Sequence, residues 1–194
     1  MPIFGTMAPI QCLENLTSQS LSSLDKLPDS SGIYALADHF GSLHYIGMTA
    51  SPKNFRDRIY HRHINGSEKN SHKLACNYNV GRMWRDRDDR RCNEADARLA
   101  KALRKEFIRR YCMVAFVEIS LPKLQLKKLE KEVIRLADPS IKDWNNTRKR
   151  VSTFSEPRDL VDTVLDELGW SKLQRDALDR QAALYDSLTN STLA

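Results

Sequence analysis

Two short apolar segments joined by a glycine-containing loop constrain this chain more than any other feature. Residues 32–37 and 43–48 are rich in β-branched and aromatic side chains, and the loop between them contains Gly41. This pattern predicts a β-hairpin. Because side chains alternate along a strand, Tyr34 and Tyr45 can lie on one face of the hairpin, where their phenols would meet. The alternative interpretation of the pair is a cross-strand aromatic contact in a core.

A helix is predicted directly after the hairpin. Ser51 and Pro52 form a helix-entry signal, and Phe55 and Ile59 are four residues apart, as on one helix face. Arg58 lies one turn from Phe55, at the border of that apolar face. We therefore expect a cation that can reach back toward the hairpin.

A second predicted helix carries an acid on its apolar side. Apolar residues recur at helical spacing over residues 126–137, before Pro139 ends the run. Glu130 lies four residues after Leu126 and so belongs to the buried face, whereas Glu132 points away and can be solvated. A buried acid is costly unless it is paired, hydrogen-bonded or bound to a metal. A buried salt bridge with an arginine is the alternative to a metal ligand.

In this order, the elements resemble the catalytic domain of the GIY-YIG endonuclease family. The resemblance covers about residues 30 to 147, and the residues that carry it are Tyr34, Tyr45, Arg58, Glu130 and Asn145, the last preceded by Trp144. Each half-motif alone is weak, whereas five elements in this order are specific. The resemblance implies an α+β fold with a small three-stranded antiparallel sheet flanked by helices. It also implies one divalent metal ion held chiefly by Glu130, and cleavage of nucleic-acid phosphodiesters.

The chain departs from the family pattern around the arginine. Arg58 follows Tyr45 by thirteen positions, more than is usual in the family, so Arg56 is a second candidate for the functional arginine. The family often has a histidine four residues after its arginine. Arg62 occupies that position here, with His63 next to it, so the role of the histidine is open.

The residue types themselves suit phosphodiester hydrolysis. One metal ion can polarise the phosphate and assist the leaving group, and a single carboxylate with water is a sufficient shell for Mg²⁺. An arginine adds positive charge and donors toward phosphate oxygens. A phenol, with an ordinary pKa of about 10, can act as general base only where cations favour the phenolate. We expect Tyr45 to activate water and Tyr34 to orient it, although either phenol has the chemistry for either role.

These features predict an endonuclease that hydrolyses DNA with Mg²⁺ as cofactor, and with Mn²⁺ able to substitute. RNA or branched DNA is the alternative substrate, and a catalytically silent nucleic-acid-binding module of the same fold is the alternative function. Asn145 and Asn146 are adjacent at the end of the motif. We assign the family's asparagine to Asn145 because it follows an aromatic residue.

The charge distribution favours a polyanionic partner. The chain of 194 residues has a formal net charge of +6, although residues 156–194 contain more acidic than basic residues. We therefore expect DNA contacts in the first 155 residues. Trp84 is a candidate for stacking on an unpaired base, although a lone tryptophan more often belongs to a core. The predicted nucleic-acid contacts outside the catalytic set are Arg56, Arg62, His63, Arg82, Arg85, Lys101 and Arg104.

We predict three regions along the chain. Residues 1–28 form an N-terminal extension, and residues 29–150 form the nuclease-like domain, with a basic insertion at residues 66–94. Within that domain, residues 113–119 are rich in β-formers and are predicted as the third strand. Residues 151–194 form an acidic, amphipathic helical appendage.

The appendage is predicted to be a helical hairpin. Gly169 ends its first helix and Ser171 caps the second. Its negative charge argues against phosphate contact, and its apolar stripe predicts packing on the domain or a homodimer formed through these helices. No apolar run is long enough for a membrane span, and residues 1–28 lack the pattern of a secretory leader. We expect a cytoplasmic protein without membrane association.

Overall fold

The computed structural model describes residues 7–66, 72–145 and 154–191. Its helices and strands group into two units that interleave along the chain. Unit 1 takes residues 1–61 and 111–149, and unit 2 takes residues 62–110 and 150–194. The predicted insertion and the predicted C-terminal appendage therefore fall largely in the same unit, which the linear division into three regions did not anticipate.

Unit 1 is built on an antiparallel sheet of four strands, in the order β1-β4-β2-β3. The strands are β1 Ser22–Ser23, β2 Gly32–Ala37, β3 Leu43–Thr49 and β4 Met113–Glu118. β2 and β3 confirm the predicted hairpin, and β4 confirms the predicted third strand. The expectation of three strands was wrong, because β1 adds a fourth. β1 consists of two serines that pair with Val114 and Met113 through the backbone, so its side chains carry no signal for a strand.

One face of the sheet holds the core of unit 1. Helices α1 Pro9–Ser18 and α5 Lys123–Leu136 contact each other and the sheet. Cys12 and Leu16 of α1 are at most 1% exposed, so this part of the predicted N-terminal extension belongs to the core. The core cluster consists of Cys12, Leu16, Ile33, Ala35, Ile46, Ala115, Val117, Leu126, Leu129, Val133 and Ala137. Because Ile33, Ala35 and Ile46 point into this core, alternation sends the neighbouring tyrosines to the opposite face.

The helix predicted after the hairpin begins at Phe55. Helix α2 Phe55–Arg58 continues as a π-helical turn, Ile59–Ile64. Asn54 is the N-cap, and its side chain accepts a hydrogen bond of 2.7 Å from the backbone N–H of Asp57. The helix therefore starts after the cap and not at the preceding Ser-Pro pair.

Unit 2 is helical. Its elements are α3 Lys73–Asn77, a 3₁₀ turn at Gly81–Met83, α4 Glu94–Tyr111, α6 Arg158–Glu167 and α7 Lys172–Ser191. Aromatic rings form part of its core, since the centroid of Tyr78 lies 5.1 Å from those of both Phe107 and Phe154. Trp84 is 7% exposed and its ring lies 6.2 Å from that of Tyr185. Burial thus favours the core interpretation of Trp84 over base stacking.

The predicted C-terminal hairpin signals are present in the structure. Gly169 adopts a left-handed φ of 62° after α6, and the Trp170 N–H donates to the Leu165 carbonyl at 3.1 Å. This contact is typical of a helix that ends at glycine. Before α7, Ser171 and Gln174 cap each other reciprocally, at 2.9 and 3.4 Å between backbone nitrogen and side-chain oxygen.

The apolar stripe predicted for the first helix of the hairpin is partly buried. Val161, Val164 and Leu165 are each at most 1% exposed, whereas Leu168, which follows α6, is 37% exposed. In the described part of the chain, no helix combines the length and the apolar composition that a bilayer crossing requires.

Candidate active site on the tyrosine face

The two tyrosines meet on the sheet face opposite the core, as predicted. In the register of β2 and β3, Tyr34 lies opposite Gly47, and Leu36 lies opposite Tyr45. The two phenol rings are tilted, with centroids 6.1 Å apart. A Cβ atom at residue 47 would lie only 2.7 Å from the Tyr34 Cζ and Oη atoms and from the Tyr45 Cε1 atom. The glycine of the second half-motif therefore leaves the space in which the two rings lie side by side.

Arg58 reaches the tyrosines from α2. Its Nε donates to the Tyr34 hydroxyl oxygen at 3.3 Å, and its guanidinium also hydrogen-bonds Tyr45. The helix is anchored by Phe55, which is fully buried and packs edge-on against Tyr34 at 6.2 Å between centroids. Arg56, in contrast, is exposed. The structure thus brings Arg58, and not the alternative Arg56, to the phenols.

The two phenols differ in exposure. Tyr34 is 0% exposed, whereas Tyr45 is half-buried. Burial raises the pKa of Tyr34 well above its ordinary value, and burial also raises the pKa of Tyr45. Arg58 opposes both pKa shifts by favouring the phenolate. Both phenols are therefore protonated in the free protein, and further positive charge is needed before either can accept a proton.

Glu130 approaches the same group of residues from α5. Burial raises the pKa of its carboxyl above 4.5, while Arg58 and the backbone N–H of Met48 act in the opposite direction. The influence of Arg58 on this carboxyl acts through space, since no ion pair joins Glu130 to any residue within the described ranges. Glu132 is exposed and pairs with Arg135, with 2.9 Å between the Arg135 Nε and the Glu132 Oε2. The helix phase predicted for the two acids is correct.

The donor set around Glu130 fits a hydrated divalent ion. Across residues 7–66, 72–145 and 154–191, no group of three His, Cys, Asp or Glu side chains converges to form a complete protein cage for a metal. Mg²⁺ keeps several of its waters and often takes only one or two carboxylates from a protein. A single half-buried carboxylate within electrostatic reach of two phenols and a guanidinium is compatible with such an ion, and Glu130 would be the residue that holds it.

Asn145 holds the edge of the sheet. It lies at the end of a 3₁₀ turn, Pro139–Asn145, that packs along β3. Its Oδ1 accepts from the backbone N–H of Ile46 at 2.9 Å, and its Nδ2 donates to the Ile46 carbonyl at 2.7 Å. Asn145 is thus a positioning residue for the strand that carries Tyr45. The alternative, Asn146, lies outside the described residues.

Four of the predicted nucleic-acid contacts are accessible. Arg56 and Arg62 are exposed, and Arg85 and Lys101 are half-exposed. Arg56 lies two residues before Arg58 in the same helix. These four side chains remain candidates for contact with phosphate.

The other three predicted contacts are engaged inside unit 2, which is a correction. His63 is 0% exposed, and its Nδ1 accepts from the backbone N–H of Lys73 at 3.2 Å. Arg104 is 1% exposed and donates to the Met83 carbonyl at 2.9 Å. Arg82 pairs with two carboxylates, Glu156 and Asp162. These partners lie 10 to 80 residues away in the sequence, so no local pattern could have identified them.

The residues that fix β3 were also missed by sequence reasoning. His44 contacts Asp38 and Asp143, and its ring stacks on Trp144 with centroids 4.7 Å apart. Asp143 is 99 residues from His44 along the chain, and neither residue belongs to a motif that could have linked the two.

Comparison with known proteins gives no further assignment. No protein-family model, no curated protein and no solved structure matches this chain. The function is therefore inferred from the residues of the tyrosine face and their contacts.

Proposed function

We propose that the protein is a divalent-metal-dependent endonuclease of the GIY-YIG type that hydrolyses DNA phosphodiester bonds. One observation carries the proposal: the Arg58 Nε lies 3.3 Å from the Tyr34 hydroxyl, and the Tyr34 ring lies 6.1 Å from that of Tyr45. Core packing explains two neighbouring aromatic rings. It does not explain a guanidinium directed at their hydroxyls, since that group must give up part of its hydration to reach them.

The half-buried phenol is the proposed proton acceptor. Tyr45 is partly exposed, whereas Tyr34 is fully buried. Once its own proton has passed to solvent, the Tyr45 phenolate accepts the proton of the attacking water, and Tyr34 keeps the Arg58 guanidinium oriented. Arg58 favours the phenolate at Tyr45 and offers its remaining donors to a phosphate oxygen.

Glu130 is the proposed ligand of a Mg²⁺ ion, for which Mn²⁺ can substitute. When bound, such an ion supplies positive charge that polarises the phosphate and stabilises the leaving oxygen. Glu130 must be ionised for this role, and the raised pKa of its carboxyl means that it holds a proton more tightly than an exposed acid does. The site should therefore lose activity when the pH falls through the pKa of Glu130.

The charge of the chain supports a nucleic-acid substrate. The formal net charge is +6, and Arg56 is exposed in the helix that also presents Arg58. A polyanion is attracted to such a surface. DNA is the proposed substrate, with RNA and branched DNA as the alternatives that a cleavage panel would separate.

A cleavage panel tests the proposal directly. Purified protein with Mg²⁺ or Mn²⁺ should cut at least one of single-stranded, duplex or branched DNA, and a chelator should stop the reaction. Activity on RNA alone would change the substrate and keep the chemistry. Binding without cleavage on every substrate would favour the catalytically silent module.

Substitution of Glu130 tests its role as metal ligand. Glu130→Gln should abolish cleavage, because the amide removes the charge that holds the ion, while DNA binding without metal should persist. Glu132→Gln is the matched control, since this exposed acid lies two residues away and pairs with Arg135. The control should retain full activity. Equal losses in both variants would contradict the assignment of Glu130.

A further inference from the structure

A histidine lies between two carboxylates beside the tyrosine site. The Nε2 of His44 is 3.0 Å from the Oδ2 of Asp38, and its Nδ1 is 3.1 Å from the Oδ1 of Asp143. Each ring nitrogen of His44 thus contacts a different carboxylate, so the ring bridges the loop after β2 and the 3₁₀ turn Pro139–Asn145.

Asp38 fixes one side of this arrangement. Its side chain is 3% exposed, and its Oδ1 accepts from the backbone N–H groups of Phe40 and Ser42, each at 2.9 Å. The same carboxylate thus holds the loop between β2 and β3 and contacts the imidazole. His39 is the other titratable group in the field of Asp38.

The second carboxylate, that of Asp143, lies in the 3₁₀ turn that packs along the edge strand β3. Trp144 and Asn145 belong to the same turn. Trp144 is 1% exposed and stacks on the His44 ring, with 13° between the two planes. Asn145 then bonds both backbone groups of Ile46, the residue that follows Tyr45.

We propose that His44 is a positioning residue of the tyrosine site. Through its two ring nitrogens, His44 links Asp38 to Asp143 and so holds Asn145 against Ile46, which fixes the strand that carries Tyr45. The effect on catalysis rests on the proposed nuclease function, whereas the link itself does not. A phenyl ring in place of the imidazole can still stack on Trp144 but has no polar atom for either carboxylate.

Amide hydrogen exchange at Ile46 reports on the link without any assay of activity. The Ile46 N–H is bonded to the Asn145 Oδ1 at 2.9 Å. In His44→Phe, its protection factor should fall about 3- to 10-fold relative to the wild type at the same pH, which corresponds to the loss of one hydrogen bond.

Two further variants keep the test decisive. Asp143 is 44% exposed, so Asp143→Ala should fold normally. It removes one of the two carboxylate contacts and should also lower the protection of Ile46. His39→Phe is the control, since it changes a histidine of the same loop and leaves both carboxylate contacts in place. This control should behave like the wild type.

The exchange and cleavage results can fail separately. Under the proposal, turnover should also be lower in His44→Phe than in the wild type. Ile46 protection in His44→Phe equal to that of the wild type would overturn the link even if the protein cleaves DNA. Reduced Ile46 protection in this variant, with no cleavage by the wild type on any substrate, would support the link and count against the proposed function alone.

Discussion

At the scale of single residues, exposure separates the roles of two chemically identical side chains. Tyr34 is fully enclosed, and any charge on its oxygen would lie in a medium of low polarity. Tyr45 is half-buried and can meet water. Arg58 hydrogen-bonds both phenols and opposes the rise of both pKa values. The two tyrosines therefore share the same cation and differ in their exposure to solvent.

The substitution Tyr45→Phe isolates the hydroxyl of the proposed base. Turnover should fall by about 10²- to 10⁴-fold, because general-base catalysis is lost while the ring still packs. Burial raises the pKa of Tyr45 above 10.0, so the phenolate fraction at neutral pH is small and grows as the pH rises. In the wild type, turnover limited by this base should therefore increase with pH, and the variant should lack that increase. If the variant and the wild type have equal turnover, the Tyr45 hydroxyl has no catalytic role and the side chain serves in packing.

At the scale of elements, the geometry of the site depends on one position in β3 that has no side chain. Gly47→Ala places a methyl group 2.7 Å from both tyrosine rings. Tyr34 is held by Phe55 and cannot yield, so we expect Tyr45 to move away from Arg58. The variant should lose about 1–3 kcal/mol of stability to overpacking, and its turnover should fall. Thermal unfolding and a cleavage assay measure the two effects.

A double-mutant cycle provides the control for this prediction. In a Tyr45→Ala background, the Gly47→Ala substitution should cost less stability, because one of the two crowded rings is gone. Additive losses would mean that the methyl group does not press on Tyr45.

Elements with a regular local pattern of apolar residues could be predicted from the sequence. The alternation in β2 and β3, and the apolar spacing that places Glu130 on α5, are set by residues within one or two turns or strand repeats of each other. β1 was not accessible, since two serines form it through backbone pairing alone. The His44 link was also not accessible, because its contact with Asp143 joins residues 99 positions apart. Local periodicity contains no information about such pairs.

At the scale of the whole molecule, the division into two units shows which basic residues pair with acidic residues inside one unit. The acidic C-terminal segment falls in the same unit as residues 62–110, and several of its carboxylates pair with arginines of that segment. Glu156 and Asp162 contact Arg82, Glu167 contacts Arg110, and Asp96 of α4 contacts Arg180 of α7. Part of the basic excess of the first 155 residues is thus paired with C-terminal acids, whereas the net charge of the whole chain, +6, is not changed by this pairing.

Two arginine variants separate the internal cations from those available to DNA. Arg56→Ala removes an exposed charge, and the slope of log affinity against log salt should decrease by about one. Arg104→Met keeps the aliphatic volume of a side chain that is 1% exposed and leaves the Met83 carbonyl without its donor. It should lose about 1–3 kcal/mol of stability with an unchanged salt slope. Salt titrations of DNA binding and thermal unfolding measure both quantities. A flattened slope with unaltered stability in Arg104→Met would place this guanidinium on the DNA, contrary to its burial.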